Sequence, residues 1–82
     1  MTPVTMFSTS WCGHCRRLKR QMEDEGISFS EVDLEGDPSH DDRIMAASGG
    51  HRTVPTLEIG GRLLVNPSLG EVREALAAAG SN

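Results

Sequence analysis

The feature that most constrains this chain is its pair of cysteines, Cys12 and Cys15, the only two among 82 residues. Cysteines separated by two residues, directly after a predicted strand in a short chain, are typical of a thiol–disulfide redox site. The first turn of a helix places residues i and i+3 on one face, within the separation that a disulfide tolerates. That turn also carries unpaired N–H groups and the positive end of the helix dipole, which stabilise a thiolate. We therefore predict that Cys12 is the nucleophile and that Cys15 can resolve the disulfide it forms.

The length and composition of the chain favour one small domain over residues 1–82. A chain of this size buries roughly 60% of its unfolded surface, which supports a single small α/β unit. The formal net charge of −4 argues against nucleic acid as a general partner. The N-terminus lacks a basic segment followed by a long apolar run, and no apolar stretch is long enough to span a bilayer. We expect a cytoplasmic monomer without membrane association, in a compartment where this cysteine spacing is more often catalytic or metal-binding than structural.

The hydrophobic pattern predicts strands and helices in the order β-α-β-α-β-β-α. Strands are predicted over residues 4–8, 27–34, 53–59 and 63–65. Helices are predicted over residues 12–25, about 38–48 and 68–79. The side chains expected to face the core from these helices are Cys15, Leu18 and Met22, then Ile44, Met45 and Ala47, and finally Leu69, Val72, Leu76 and Ala79. The crossover helix makes the first two strands parallel, and Ser68 and Glu71 form a capping box at the last helix.

This order of elements resembles the thioredoxin fold in its small glutaredoxin form, with the cysteines after the first strand and Val54-Pro55 before the third. The resemblance implies an α/β fold, a four-stranded mixed sheet flanked by three helices. Thr53-Val54-Pro55 resembles the family's Thr-Val-Pro segment, whose proline follows a cis peptide bond and lies against the active-site cysteines. The resemblance further implies that the Val54 backbone faces Cys12 and pairs with an incoming substrate as a short antiparallel strand.

Within that superfamily the motifs resemble those of the mycoredoxins. The segments that carry this resemblance are Trp11-Cys12-Gly13-His14-Cys15, Gly49-Gly50-His51-Arg52-Thr53-Val54-Pro55-Thr56 and Asn66-Pro67-Ser68. Glutathione-linked glutaredoxins have Gly-Gly and an Asp in place of the last of these segments, and thioredoxins carry a buried acid in the first strand that is absent here. The resemblance implies mycothiol as the thiol co-substrate, with glutathione left open, and no tightly bound cofactor.

The resemblance also implies a monothiol reaction. The Cys12 thiolate attacks a mixed disulfide between a protein and mycothiol, and the protein thiol leaves. A second mycothiol, or Cys15, then releases the first. The substrates are therefore S-thiolated proteins, and a flavin disulfide reductase that uses NADPH regenerates the small thiol.

Eight further residues are candidates for binding the substrate: Trp11, His14, Arg52, Thr53, Val54, Pro55, Asn66 and Ser68. His14 either places positive charge beside Cys12 or is an exposed histidine without a partner. Asn66 and Ser68 either suit a hydroxyl-rich sugar or simply begin the last helix. The basic residues of the first helix either favour the thiolate of Cys12 or form a solvated face, and they are Arg16, Arg17, Lys19 and Arg20.

Two other functions stay open from the sequence. The first is a glutaredoxin-like hydrogen donor reduced by thioredoxin reductase, although the region of the fourth strand does not resemble that donor's Trp-Ser-Gly-Phe pattern. The second is an iron–sulfur-bridged dimer, because Gly13 replaces the proline that commonly follows the first cysteine in glutaredoxins. A zinc site is not expected, because no second C-x-x-C exists to complete four ligands.

Overall fold

The computed structural model describes residues 2–80 and shows a four-stranded mixed sheet with helices on both faces. The strands are β1 (Val4–Ser8), β2 (Ser30–Asp33), β3 (Thr56–Ile59) and β4 (Arg62–Val65). The helices are α1 (Gly13–Asp24), α2 (Asp41–Ala47) and α3 (Leu69–Ala79), and a 3₁₀ turn (Pro38–His40) precedes α2. The predicted element order and fold class are confirmed. Within residues 2–80 no helix is both long enough and apolar enough to cross a membrane.

The sheet has the strand order β2-β1-β3-β4. β1 and β2 are parallel, as predicted, and the other two pairs are antiparallel. In the register of the sheet, Ser8 pairs with Asp33, and Thr56 pairs with both Phe7 and Val65. The carboxyl ends of β1, β2 and β4 therefore meet the amino end of β3. We call this end of the sheet the cysteine edge, because the chain runs from it directly into α1.

Alternate residues of β1 face opposite sides of the sheet, as the pleat of a strand requires. Met6 packs in the core beneath α1 and α3, which also contains Val4, Leu18, Met22, Leu57, Ile59, Val72 and Ala75. Phe7 packs on the side of α2, in a smaller core with Leu34 and Ile44. The buried stripe predicted for α1 is confirmed, and it fixes that helix over the sheet with its first turn at the cysteine edge.

Two strands begin three residues later than predicted. Pairing between β1 and β2 starts with Thr5 opposite Ser30, so the alternating apolar residues before it lie outside the ladder. Ile27 and Phe29 still pack against the larger core, but from the connection between α1 and β2. β3 begins at Thr56, because the segment that ends in Pro55 lies outside the sheet.

Two alanines predicted to face the core are exposed, Ala47 and Ala79. α2 is only seven residues long, and Ile44 is its buried side chain. Ala79 lies in the last turn of α3, close to Gly60. A Cβ added at Gly60 would lie 3.2 Å from the Cβ of Ala79. It therefore lies over the β3–β4 turn, and Ala75 is buried in the core instead.

Candidate active site

Cys12 is the residue that caps the amino end of α1. Its backbone is extended, with φ −86° and ψ 108°, and its Sγ accepts a hydrogen bond of 3.1 Å from the backbone N–H of Cys15. Its own N–H donates to the carbonyl of Thr9 at 3.3 Å. A hydrogen bond from a backbone amide stabilises sulfur more strongly when the sulfur is charged. Both cysteines are free thiols, and the predicted placement at a helix start is the one observed.

Cys15 lies one turn further into α1 and has different surroundings. It is 2% exposed, against 7% for Cys12, and shares the buried face of α1 with Leu18 and Met22. Burial raises the pKa of Cys15 to about 12, and its hydrogen bond to Cys12 adds to this, whereas a backbone hydrogen bond from Thr9 acts in the opposite direction. Cys15 is therefore a neutral thiol at physiological pH.

The segment before β3 lies at the cysteine edge as well. The peptide bond between Val54 and Pro55 is cis. The carbonyl of Pro55 accepts from the N–H of Asn66 at 2.8 Å, and the hydroxyl of Thr56 donates to the carbonyl of Thr53 at 2.7 Å. Asn66 has φ 49°, a left-handed conformation that asparagine tolerates better than most residues. Among residues 2–80, neither backbone group of Val54 has a hydrogen-bond partner.

The register of the sheet brings these two segments to one place. Pro55 precedes Thr56, which pairs with Phe7 near the end of β1, and Cys12 follows four residues after Ser8. Asn66 directly follows β4 and bonds to Pro55. The start of α1, the cis peptide and the start of α3 therefore lie at the same edge of the sheet.

The loop between β1 and α1 is fixed by hydrogen bonds to Glu35, a residue that was not among the predicted site residues. Glu35 follows β2 at the cysteine edge and accepts from Trp11 Nε1 at 3.0 Å and from the hydroxyl of Ser10 at 3.2 Å. Trp11 is nevertheless 66% exposed. His14 is half-buried in the first turn of α1. The role of Glu35 could have been inferred from the predicted parallel pairing of β1 and β2, because parallel strands bring the residues that follow them to the same edge.

Two predicted binding residues are engaged by neighbours. The Arg52 guanidinium binds Asp41, with Nη2 at 2.7 Å and Nε at 3.2 Å from carboxylate oxygens. The Ser68 hydroxyl accepts from the N–H of Glu71 at 3.2 Å, and the Glu71 carboxylate accepts from the N–H of Ser68 at 2.8 Å. The predicted capping box is thus confirmed. In the part of the chain described, no group of three or more His, Cys, Asp and Glu side chains is placed to hold a metal ion.

A cleft of about 410 Å³ opens beside Cys15, between α1 and β2. Residues that line this Cys15 cleft include Thr9, Cys15, Arg16, Lys19, Glu31 and Asp33. The Glu31 carboxylate accepts from Lys19 Nζ at 2.9 and 3.0 Å and from the hydroxyl of Ser8 at 2.8 Å. The bond from Lys19 is the main cause that lowers the pKa of Glu31, and the bond from Ser8 contributes. The cleft wall therefore carries a carboxylate that is ionised at neutral pH.

The chain is similar to known proteins in both sequence and fold. The glutaredoxin family model matches residues 4–64. A Mycobacterium tuberculosis protein provisionally named a glutaredoxin is 40% identical over 74 residues, which cover 89% of this chain and 88% of that protein. Mycoredoxin 1 of Corynebacterium glutamicum is 30% identical over 73 residues, 88% of this chain and 90% of its own length. A buckwheat glutaredoxin–glutathione complex superposes with a TM-score of 0.74 at 25% identity, over 96% of this chain and 80% of that one.

Proposed function

Because this chain belongs to the glutaredoxin family of thiol–disulfide oxidoreductases, we propose that it reduces mixed disulfides between proteins and mycothiol. Cys12 is the nucleophile in this proposal. The observation that carries the proposal is the position of Cys12. This residue caps α1, its Sγ accepts a hydrogen bond from the backbone N–H of Cys15, and it lies at the same edge of the sheet as Val54 and Pro55. A backbone N–H in that position stabilises the negative charge that the sulfur carries when it attacks as a nucleophile or departs as a leaving group.

In the first step the Cys12 thiolate attacks the mycothiol sulfur of the mixed disulfide. The bond between the two substrate sulfurs breaks, the protein thiolate leaves and takes a proton from water, and mycothiol stays on Cys12. The leaving protein is thereby reduced, and Cys12 is oxidised to a new mixed disulfide. The backbone N–H of Cys15 donates to Cys12 Sγ at 3.1 Å and is in place at the sulfur when this step begins.

In the second step an external mycothiol thiolate attacks the mycothiol sulfur held on Cys12. Cys12 leaves as a thiolate, and the product is the symmetrical disulfide of mycothiol. Cys15 competes slowly for this step, because burial keeps its pKa raised to about 12 and few molecules carry its thiolate. A flavin disulfide reductase that uses NADPH then regenerates mycothiol in a cytoplasmic setting, and this chain acts as a monomer without a tightly bound cofactor.

The protein part of the substrate docks against the segment before β3. Val54 is half-buried, and its N–H and C=O have no partner within residues 2–80. Free backbone groups on an extended segment can pair with an extended peptide as in an antiparallel ladder. Thr53 and Pro55 flank this ledge, and the exposed ring of Trp11 forms a wall beside the nucleophile. His14, in the first turn of α1, adds positive charge there when it is protonated.

The choice of mycothiol over glutathione rests on charge. Glutathione carries two carboxylates and an ammonium group, whereas mycothiol presents a hydroxyl-rich sugar. Arg52, the cation next to Thr53, is paired with Asp41 at 2.7 Å, so its charge is already balanced by a carboxylate. Asn66 and Ser68 offer an amide and a hydroxyl proton at the start of α3. The identity with Mycoredoxin 1 supports the same choice.

The test compares two substrates made from one protein, thiolated with mycothiol or with glutathione, each reduced by its own thiol and reductase. We expect kcat/KM with mycothiol to be at least about tenfold higher, the range that a few polar contacts to a substrate supply. Equal or faster turnover with glutathione would contradict the choice of thiol. Reduction of the protein by thioredoxin reductase alone, without any small thiol, would instead favour the hydrogen-donor function. The Cys12→Ser variant gives the uncatalysed background in both arms.

A further inference from the structure

We propose that Glu31 is a positioning residue that adds to burial in keeping Cys15 in its thiol form, and so slows the attack of Cys15 on Cys12 and favours release of the attached group by an external thiol. The inference deepens the proposed function, and its biological consequence rests on that function. It is carried by the Cys15 cleft, which the second cysteine lines from α1 and an anchored carboxylate, Glu31, lines from β2.

The Glu31 carboxylate is fixed in place by two neighbours. Lys19 Nζ from α1 lies 2.9 and 3.0 Å from its two oxygens, and the hydroxyl of Ser8 at the end of β1 donates at 2.8 Å. Both bonds lower the pKa of Glu31, so the group is an anion at neutral pH. The Glu31 side chain is 37% exposed, and its bonds to two different elements hold the carboxylate at the cleft.

The groups around Cys15 come from α1, from the loop before it and from β2. The hydrogen bond with Cys12, at the start of α1, raises the pKa of Cys15, and the backbone hydrogen bond with Thr9, in the loop, lowers it. The other charged groups that line the cleft are Arg16 and Lys19 on α1 and Glu31 and Asp33 on β2. The charge of Glu31 adds to burial in raising the pKa of Cys15. Lys19 opposes that effect, because it neutralises Glu31.

The reaction that Glu31 slows is the internal one. Cys15 first gives its proton to water, and its thiolate then attacks the sulfur of Cys12. The bond between Cys12 and the attached thiol breaks, that thiol leaves as a thiolate, and Cys12 and Cys15 become a disulfide. The rate depends on the fraction of Cys15 present as thiolate. A negative charge across the cleft lowers that fraction and leaves time for an external thiol to arrive.

The test uses a chromophoric mixed disulfide and needs neither mycothiol nor a reductase. One equivalent of dithiobis(nitrobenzoate) releases a first thionitrobenzoate when Cys12 reacts and a second when Cys15 attacks Cys12. We expect Glu31→Gln to speed the second release about twofold and Lys19→Gln to slow it about twofold, because each variant changes the fraction of Cys15 present as thiolate and the accompanying change in nucleophilicity offsets part of the effect. The first release should not change.

The matched control is Glu58→Gln, which removes a strand carboxylate paired with Arg43 at 2.9 Å, remote from the Cys15 cleft. Opposite changes in the two cleft variants, and none in the control, support the electrostatic role. A change in the same direction in both, or a Glu31→Gln rate equal to that of Glu58→Gln, overturns it. Should Glu31→Gln fail to fold by circular dichroism, Lys19→Gln alone decides, since a second release that is not slowed excludes the proposal. A failure here leaves the preference for mycothiol untouched, since that preference is measured with different substrates.

Discussion

Cys12 and Cys15 lie one helical turn apart, and both are buried free thiols, but they lie against different parts of the molecule. Cys12 caps α1 next to the exposed Trp11, at the edge where the Val54–Pro55 peptide lies. Cys15 is on the buried face of the same helix and lines a cleft that the Glu31 side chain also lines. We propose that this single turn of helix gives the two thiols different roles. In the proposed function the Cys12 side meets the substrate, and burial keeps the Cys15 thiol protonated.

The largest expected effect comes from removing each sulfur in turn. Cys12→Ser should lower turnover on a mycothiolated protein by about a thousandfold or more, because no other nucleophile can form the intermediate. Cys15→Ser should keep turnover within about threefold, because the external thiol completes the monothiol reaction. Steady-state rates coupled to NADPH oxidation measure both. An inactive Cys15→Ser variant beside an active Cys12→Ser variant would reverse the assignment of the two cysteines.

The difference in burial should also appear as a difference in the pH dependence of alkylation. Because burial raises the pKa of Cys15 from 9.0 to about 12, its thiolate forms only as the pH climbs through that higher value. In the folded protein we expect alkylation of Cys15 by iodoacetamide to rise about tenfold per pH unit without a plateau up to the ordinary thiol range. Peptide mass spectrometry follows each cysteine separately. A Cys15 plateau near 9 in the folded protein, equal to that of the denatured chain, would remove the contrast.

The Cys12 side could be predicted from the sequence because its decisive features are local. Cys12 and Cys15 are three residues apart, as are Ser68 and Glu71, and a helix start places such pairs together whatever surrounds it. The segment before β3 was identified by its motif, and the cis peptide before Pro55 agrees with it. These features needed no knowledge of how the strands pair.

The Cys15 side could not be predicted, because it depends on contacts between distant parts of the chain. Lys19 and Glu31 meet only because α1 packs over β1 and β2 and the register places Glu31 opposite Met6. The alternating residues from Ile27 onwards predicted a longer β2, and nothing local shows that pairing begins at Ser30. Register and side-chain direction across elements are properties of the packed fold, and they decided which carboxylate faces the second cysteine.

A smaller effect should separate two roles of Ser68 on the Cys12 side. Ser68→Ala should lower the free energy of unfolding by about 1 kcal/mol, because the hydroxyl that accepts from Glu71 N–H is lost. Ser68→Asp should restore stability, because its carboxylate also caps the helix, but it has no proton to donate to a sugar hydroxyl. Urea unfolding and KM for the mycothiolated substrate are the two readouts. Recovery of KM together with stability in Ser68→Asp would show that Ser68 only begins the helix.

The smallest predicted effect tests whether charge on the Cys12 side selects the small thiol. Asp41→Asn leaves the Arg52 guanidinium without its anionic partner, 2.7 Å away in the native protein. A free cation next to Thr53 should attract the carboxylates of glutathione, so we expect the ratio of kcat/KM for glutathione to that for mycothiol to rise about threefold, as suits a partly exposed charge. High salt should reduce this gain, because it screens exposed charges.

The measurement is made as a ratio because Asp41 also lies in the first turn of α2, where a carboxylate interacts favourably with the helix dipole. Any loss of stability in Asp41→Asn lowers the amount of folded enzyme equally in both assays, so it cancels in the ratio of the two kcat/KM values. Glu58→Gln is the matched control, since it frees Arg43 from a similar ion pair, neither member of which belongs to the Thr53–Pro55 segment. An unchanged ratio in Asp41→Asn would mean that the Arg52–Asp41 pair plays no part in the choice of thiol, and the discrimination would then have to come from the polar groups at the start of α3.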